Sequence, residues 1–263
     1  MNRLDETFAR LKAEKRTALM PYLSLGYPTL DISRQLICVA ADAGADVIEL
    51  GIPFSDPLAD GPVIQRATHV ALQNGMTLTK CFEMVRDARQ AGVTVPLVLM
   101  GYYNPILRLG VEPCARAAQE AGADGFIVPD LPPEEAGALD AACRAHELDL
   151  IFLAAPTSTA ERLRIIAEAT RGFMYLVSVV GVTGARDRMA ADLAEFVAHV
   201  RAVTTKPACV GFGIANAETA RAVAGCADGV IVGSALVSRI GESKCAVGAT
   251  REFIAELRAA IDA

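Results

Sequence analysis

Glu49 and Asp60 are the two residues of this chain best placed for proton chemistry. They bound the segment Glu49-Leu50-Gly51-Ile52-Pro53-Phe54-Ser55-Asp56-Pro57-Leu58-Ala59-Asp60-Gly61-Pro62. Glu49 directly follows Val47-Ile48, a β-branched pair that reads as the core of a short buried strand. Asp60 comes eleven residues later, on a loop stiffened by Pro53, Pro57 and Pro62. Carboxylates are rarely fully buried unless paired. One at the end of a core strand, facing another on a rigid loop, points to general acid–base work rather than a capped strand end.

The elements that must hold this pair recur along the chain. Short apolar runs appear at 18–25, 47–50, 96–100, 125–128, 149–153, 174–177, 208–210 and 229–232. Each is strand-sized, and their spacing suits a strand, a helix and two loops. Ala-rich helical segments lie between them, for example 32–43 and 191–203, the latter with Leu193, Phe196, Val197 and Val200 on one face. A further helix, 2–15, leads the chain. Helix-to-strand joints carry Ala43-Gly44-Ala45-Asp46, Ala121-Gly122-Ala123-Asp124 and the looser Gly225-Cys226-Ala227-Asp228. Glycine there suits a left-handed residue ending a helix.

Eight strand–helix units with no linker predict a single (β/α)8 TIM barrel over residues 1–263, with an extra N-terminal helix. An open doubly wound sheet has similar spacing, but no Gly-x-Gly-x-x-Gly follows the first strand. In a (β/α)8 barrel, chemistry gathers at the C-terminal strand ends, which is where strand two delivers Glu49. Strand alternation puts Val47 and Glu49 on one face and Ile48 and Leu50 on the other.

Three glycine turns follow late strands: Gly181-Val182-Thr183-Gly184, Gly211-Phe212-Gly213-Ile214, and Gly233-Ser234. Backbone N–H groups approach an anion closely where no side chain intervenes, and a helix N-terminus adds a favourable dipole. A short helix over 235–240, after strand eight, fits a phosphate site with Ser234 as a hydroxyl donor. The alternative is that these glycines only make tight βα turns.

Composition narrows the function classes. The 263 residues are 52% hydrophobic, and 25 basic against 31 acidic residues give a net charge of -6. No Lys/Arg cluster tracks a phosphodiester backbone, so no nucleic-acid partner is expected. Apolar runs are too short for an ordinary membrane-spanning helix, and the mixed-charge N-terminus lacks a signal-peptide core, so a cytoplasmic protein is expected. The seven cysteines contain no Cys-x-x-Cys pair, which fits buried thiols better than a disulfide frame or zinc site. His69, His146 and His199 lie far apart in helix-like segments and are expected to be structural or on the surface.

Taken together, these motifs resemble the tryptophan synthase α-subunit family. The resemblance rests on Met20-Pro21-Tyr22-Leu23-Ser24-Leu25-Gly26-Tyr27-Pro28, the Glu49–Pro62 segment, Gly101-Tyr102-Tyr103-Asn104-Pro105, Val128-Pro129-Asp130-Leu131-Pro132, and the three glycine turns. It implies a lyase that splits indole-3-glycerol phosphate into indole and glyceraldehyde 3-phosphate. Glu49 would be the acid/base, Asp60 would accept the indole N–H, and Tyr175 would stand beside the catalytic acid. Tyr22, Met100, Leu153, Phe212 and the loop residue Thr183 would contact substrate. Gly184, Gly213, Gly233 and Ser234 would hold phosphate. An apolar barrel mouth should raise the Glu49 pKa, while a more exposed loop should leave Asp60 ionised. The resemblance implies no metal or organic cofactor in this chain. The implied partner is a pyridoxal-phosphate β subunit in an α2β2 tetramer, met by loops bearing Asp56 and residues 103–106.

Other readings of a phosphate-handling barrel remain at this stage. A Schiff-base aldolase needs an inward lysine, and the nearest, Lys206, precedes strand seven. A triose-type isomerase needs a histidine after a strand, which is missing. A non-catalytic barrel that binds phosphate ligands and activates a partner would be expected to lose Glu49 or Asp60.

Overall fold

Among the described residues, nine parallel strands carry the fold. The computed structural model describes residues 2–177, 186–211 and 213–263. The strands are β1 (Ala18–Ser24), β2 (Ile48–Gly51), β3 (Leu97–Met100), β4 (Gly125–Ile127), β5 (Asp149–Ile151), β6 (Leu153–Ala154), β7 (Met174–Val177), β8 (Ala208–Gly211) and β9 (Gly229–Val232). Their order is β5-β4-β3-β2-β1-β9-β8-β7-β6. β5 and β6 end that order yet are separated in the chain by Phe152 alone, so the ring closes as eight staves of a (β/α)8 barrel.

The predicted strand 149–153 is thus two short strands. Phe152 is the break: its N–H turns to the Thr170 hydroxyl, and its carbonyl accepts from Tyr175. β5 therefore pairs with β4, and β6 with β7.

Around the sheet lie α1 (Arg3–Glu14), α2 (Leu30–Asp42), α3 (Pro62–Gln73), α4 (Leu78–Gln90), α5 (Tyr103–Leu109), α6 (Val111–Ala121) and α7 (Gly137–Ala145). α8 (Ala160–Ala169), α9 (Arg186–Arg201), α10 (Ala217–Ala224), α11 (Ser234–Glu242) and α12 (Ala246–Ile261) complete the set. Their starts follow local chemistry. Thr29, Thr77 and Thr159 accept the third backbone N–H of α2, α4 and α8, and Asn216 forms a capping box on α10. Pro62 opens α3, where its missing N–H costs nothing.

Two apolar layers result. Leu36, Leu50, Phe126, Leu176 and Ile254 belong to the layer between sheet and helices. Inside the barrel, Met20, Val47, Val98, Ile127, Ile151 and Ile231 pack together, and Leu4, Phe8 and Leu11 of α1 plug the bottom. Burying an apolar side chain of this size contributes about 1.5–3 kcal/mol.

The Ala-Gly-Ala-Asp joints do two jobs, only one of which is local. Gly44 and Gly122 have φ of 106° and 93°, as a left-handed helix end requires. Gly225 departs from that expectation: at φ −66° it simply continues the right-handed turn. The aspartates make the second contribution. Asp46, Asp124 and Asp228 accept the N–H of Leu19, Leu97 and Ala208, the first or second residue of a neighbouring strand. Arg258, Arg89 and Arg201 respectively neutralise them. At the same end Asn2 donates to Asp149 and Arg3 to Asp124, fastening α1 beneath the barrel. The N-terminal end is therefore pinned by charge-assisted bonds, leaving the C-terminal rim free to carry a site.

Candidate active site

β2 carries Glu49 as its second residue, turned inward, in register with Tyr22 of β1 and Val98 of β3. Its side chain is fully buried, and neither carboxyl oxygen has a hydrogen-bond partner among the described residues. Burial raises its pKa from the ordinary 4.5 to about 8. At neutral pH it is therefore an acid holding its proton. A buried carboxyl without a partner is costly for folding, which marks it as a group kept for chemistry.

The carboxyl opens into a cavity of about 250 Å³. Tyr22, Asp60, Met100 and Tyr175 share its wall with Glu49. Gly213, Gly233 and Ser234 line it too, from the loops after β8 and β9. Most of the predicted site is thereby brought into one space. Leu153 is the exception: it packs with the barrel interior, in register with Tyr175, and is not among the described cavity-lining residues. Thr183, Gly184 and Phe212 lie outside the described residues.

Two close approaches shape the wall. The Tyr22 ring leans across β2, so a Cβ at Gly51 would run into its hydroxyl. Tyr175 leans across β8 in the same way: a Cβ at Gly211 would stand 2.6 Å from its hydroxyl oxygen. The Tyr22 hydroxyl accepts from Ser24 Oγ at 3.4 Å, which supplies the partner that a tyrosine at this position requires. Burial pushes both phenols well above their ordinary pKa, with the nearby Glu49 and Asp60 carboxyls adding to it. Both remain neutral hydrogen-bonding groups.

Asp60 is half-buried rather than open to solvent. Burial pushes its carboxyl up, and the nearby Tyr102 hydroxyl pulls it back. It also precedes Gly61, the cap of α3, so the positive end of that helix dipole favours its charged form. The Gln65 amide donates to the Asp60 carbonyl at 2.8 Å, tying the loop to α3. The sequence reading missed Tyr102 as a site residue. Its signal was its position, two residues beyond β3 on the functional rim.

At the opposite side of the cavity α11 begins directly at Ser234, one turn of chain after β9, with no side chain capping its first N–H groups. Gly213 has φ 79°, a conformation that favours glycine and brings backbone to the cavity edge. Uncapped N–H groups at the start of a nine-residue helix, a hydroxyl and a glycine turn together suit an anion. α11 extends beyond the predicted 235–240 at both ends.

The remaining chemistry-bearing residues fall elsewhere. His69 pairs with Gln73, His146 with Glu112, and His199 faces Glu195. Among the described residues no cluster of His, Cys, Asp and Glu is arranged to hold a metal ion. Cys81, Cys114, Cys143 and Cys209 are buried free thiols, but Cys245 is exposed, at the start of α12. The Lys206 ammonium donates to the carbonyls of Ala167 and Thr170, closing the C-terminus of α8 far from the cavity. Among the described residues, no helix is long and apolar enough to cross a membrane.

Comparison with known proteins agrees with this geometry. The profile of the tryptophan synthase alpha chain family matches residues 8–261. The alpha chain of Roseiflexus sp. (strain RS-1) is 53% identical over 243 residues, covering 92% of this chain and 93% of that one. That of Chloroflexus aggregans is 49% identical over 265 residues, covering 100% and 99%. Among solved structures, tryptophan synthase subunit alpha from Legionella pneumophila str. Paris superposes with a TM-score of 0.93 at 41% identity, covering 100% of this chain and 99% of that one. Tryptophan synthase from M. tuberculosis in an open form gives 0.90 at 41% identity, covering 99% of each. On sequence and fold, the chain belongs to the tryptophan synthase alpha chain family.

Proposed function

We propose that the chain cleaves indole-3-glycerol phosphate to indole and glyceraldehyde 3-phosphate. The observation that carries this reading is Glu49, a buried, unpartnered and protonated carboxyl opening into the cavity that also holds Asp60. Glu49 delivers its proton to the indole carbon bearing the glycerol chain. The ring becomes cationic, and the Asp60 carboxylate accepts the ring N–H and stabilises that charge. The resulting Glu49 carboxylate takes the proton of the adjacent side-chain hydroxyl. The hydroxyl carbon becomes an aldehyde as its bond to the ring breaks, and the bonding pair restores the aromatic system. Glu49 ends protonated, as it began, so each turnover closes without an external acid or base.

The other cavity residues support this division of labour. Tyr22, Met100 and Tyr175 offer a largely apolar slot for the ring. Gly213, Gly233 and Ser234 would receive the phosphate at the α11 N-terminus, together with Gly184. Holding the charged end of the substrate fixes its ring against Glu49.

The family implies a β-subunit partner, to which the pyridoxal phosphate belongs, and we assign the α2β2 assembly to this chain on the same reading. Two features support a docking face on this rim. Leu58 is 94% exposed in the loop that carries Asp56, and Leu107 and Leu109 are exposed on α5. Among the described residues, no lysine stands at the C-terminal end of a strand, where Schiff-base chemistry would place it.

The test is indole formation from indole-3-glycerol phosphate by the purified chain, alone and with a tryptophan synthase β subunit. Indole release that rises when the β subunit is added is the expected result. No indole in either condition from folded protein leaves a phosphate-binding barrel and removes the lyase assignment.

A further inference from the structure

The loop between β2 and α3 presents a difficulty for catalysis. Ser55, Asp56, Leu58 and Ala59 are exposed, yet Asp60 at its end must meet the substrate ring in one fixed orientation. We propose that Tyr102 is the positioning residue for Asp60, clamping the β2–α3 loop at both ends so that this carboxylate faces the cavity.

Tyr102 precedes α5 and is only 6% exposed. Its ring packs against Phe54, with centroids 5.3 Å apart, at the point where the loop leaves the barrel. Its hydroxyl accepts the N–H of Ala59 at 2.9 Å, where the loop returns. With that N–H on its lone pair, the hydroxyl is left free to turn its proton toward the carboxyl of the next residue, Asp60, whose pKa it lowers. One phenol thus fixes the start of the loop by ring contact and its end by the hydrogen bond from Ala59, the residue before Asp60. Tyr102 is itself held: the next residue, Tyr103, donates its N–H to Asp130 at 2.9 Å. A hydroxyl that can donate to a carboxylate favours its ionised form, so the same group orients Asp60 and counters the upward push of burial on its pKa.

This inference rests on the lyase reading, and its test separates the two. Tyr102→Phe keeps the ring against Phe54 and removes only the hydroxyl. The exposed Ala59 N–H turns to water, so the unfolding midpoint should stay close to wild type. The expected result is a fall in kcat/KM of about ten-fold, as for loss of one charge-assisted hydrogen bond. The acid limb of the pH profile should move to higher pH, because Asp60 loses the donor that favours its charge. In an Asp60→Asn background the same substitution should have little further effect, since both act through one group. Wild-type kcat/KM with an unmoved acid limb would overturn the proposal, as would an equal loss in both backgrounds. Absence of indole from the wild-type chain would instead strike the lyase reading.

Discussion

Glu49→Gln is expected to abolish indole release while making the protein more stable. Glutamine keeps the shape of the side chain but has no proton to give at neutral pH. General acid–base catalysis by a positioned group is worth about 10²–10⁴-fold, and here one carboxyl serves as both acid and base. A residual rate within ten-fold of wild type would remove Glu49 from its role.

The stability gain follows from the same burial. Unfolded, Glu49 titrates near its ordinary 4.5; folded, near 8. Between those values the unfolded chain releases a proton that the folded chain must retain. The stability is full below the lower value and declines as pH rises through the upper one. At pH 7 the penalty amounts to roughly 3 kcal/mol, part of which a buried amide would still incur. The variant should therefore exceed wild type by about 1–3 kcal/mol at pH 7, with the gap narrowing toward pH 5. Urea unfolding at the two pH values checks it, and a gap of constant size would contradict the protonation argument.

Asp124→Ala is expected to have the opposite profile, with a large loss of stability and little loss of chemistry. Asp124 accepts the Leu97 N–H at 2.7 Å, Arg89 at 2.6 Å and Arg3 at 2.8 Å. Its side chain is 3% exposed and that of Arg89 14%. Removing the carboxylate takes away the counter-charge of the Arg89 guanidinium and strands a buried strand N–H. Breaking one side of such a pair costs about 3–5 kcal/mol. For a chain of this size the unfolding midpoint should fall by about 10 °C. Because Asp124 lies at the N-terminal end of the barrel, kcat in the folded protein should remain close to wild type. A loss under 1 kcal/mol would mean that the aspartate ring does not pin the strands.

These two residues show what the sequence exposes and what it hides. Glu49 was legible because its whole context is local: a β-branched pair, then an acid, then a proline-stiffened loop. Strand positions were legible for a similar reason, since buried parallel strands are short apolar runs bounded by helix ends. Asp124 was visible only as the last residue of a helix-ending motif. Its carboxylate serves the backbone of Leu97, twenty-seven residues away in sequence, and no local pattern announces that partner. The break at Phe152 was hidden likewise, because the hydroxyl that takes its N–H comes from Thr170.

The candidate site divides along the same line. Gly213, Gly233 and Ser234 could be read from glycine turns after strands, a local signature. Gly51 and Gly211 could not be understood without the phenols that cross them from neighbouring strands. Tyr102 was hidden because its work is done on another loop. Asp60 itself was found, but it is half-buried in the fold, whereas the loop read alone looked open to solvent.

The central claim is that the reaction begins with a proton held on a buried carboxyl at neutral pH. The pH dependence of kcat/KM for indole release tests it most directly, because that parameter reports the essential groups of the free enzyme. The account predicts a basic limb, with activity falling as pH rises through about 8, the value at which Glu49 loses its proton. Activity that holds or climbs through that range would show that the proton donor is not Glu49 in the state described.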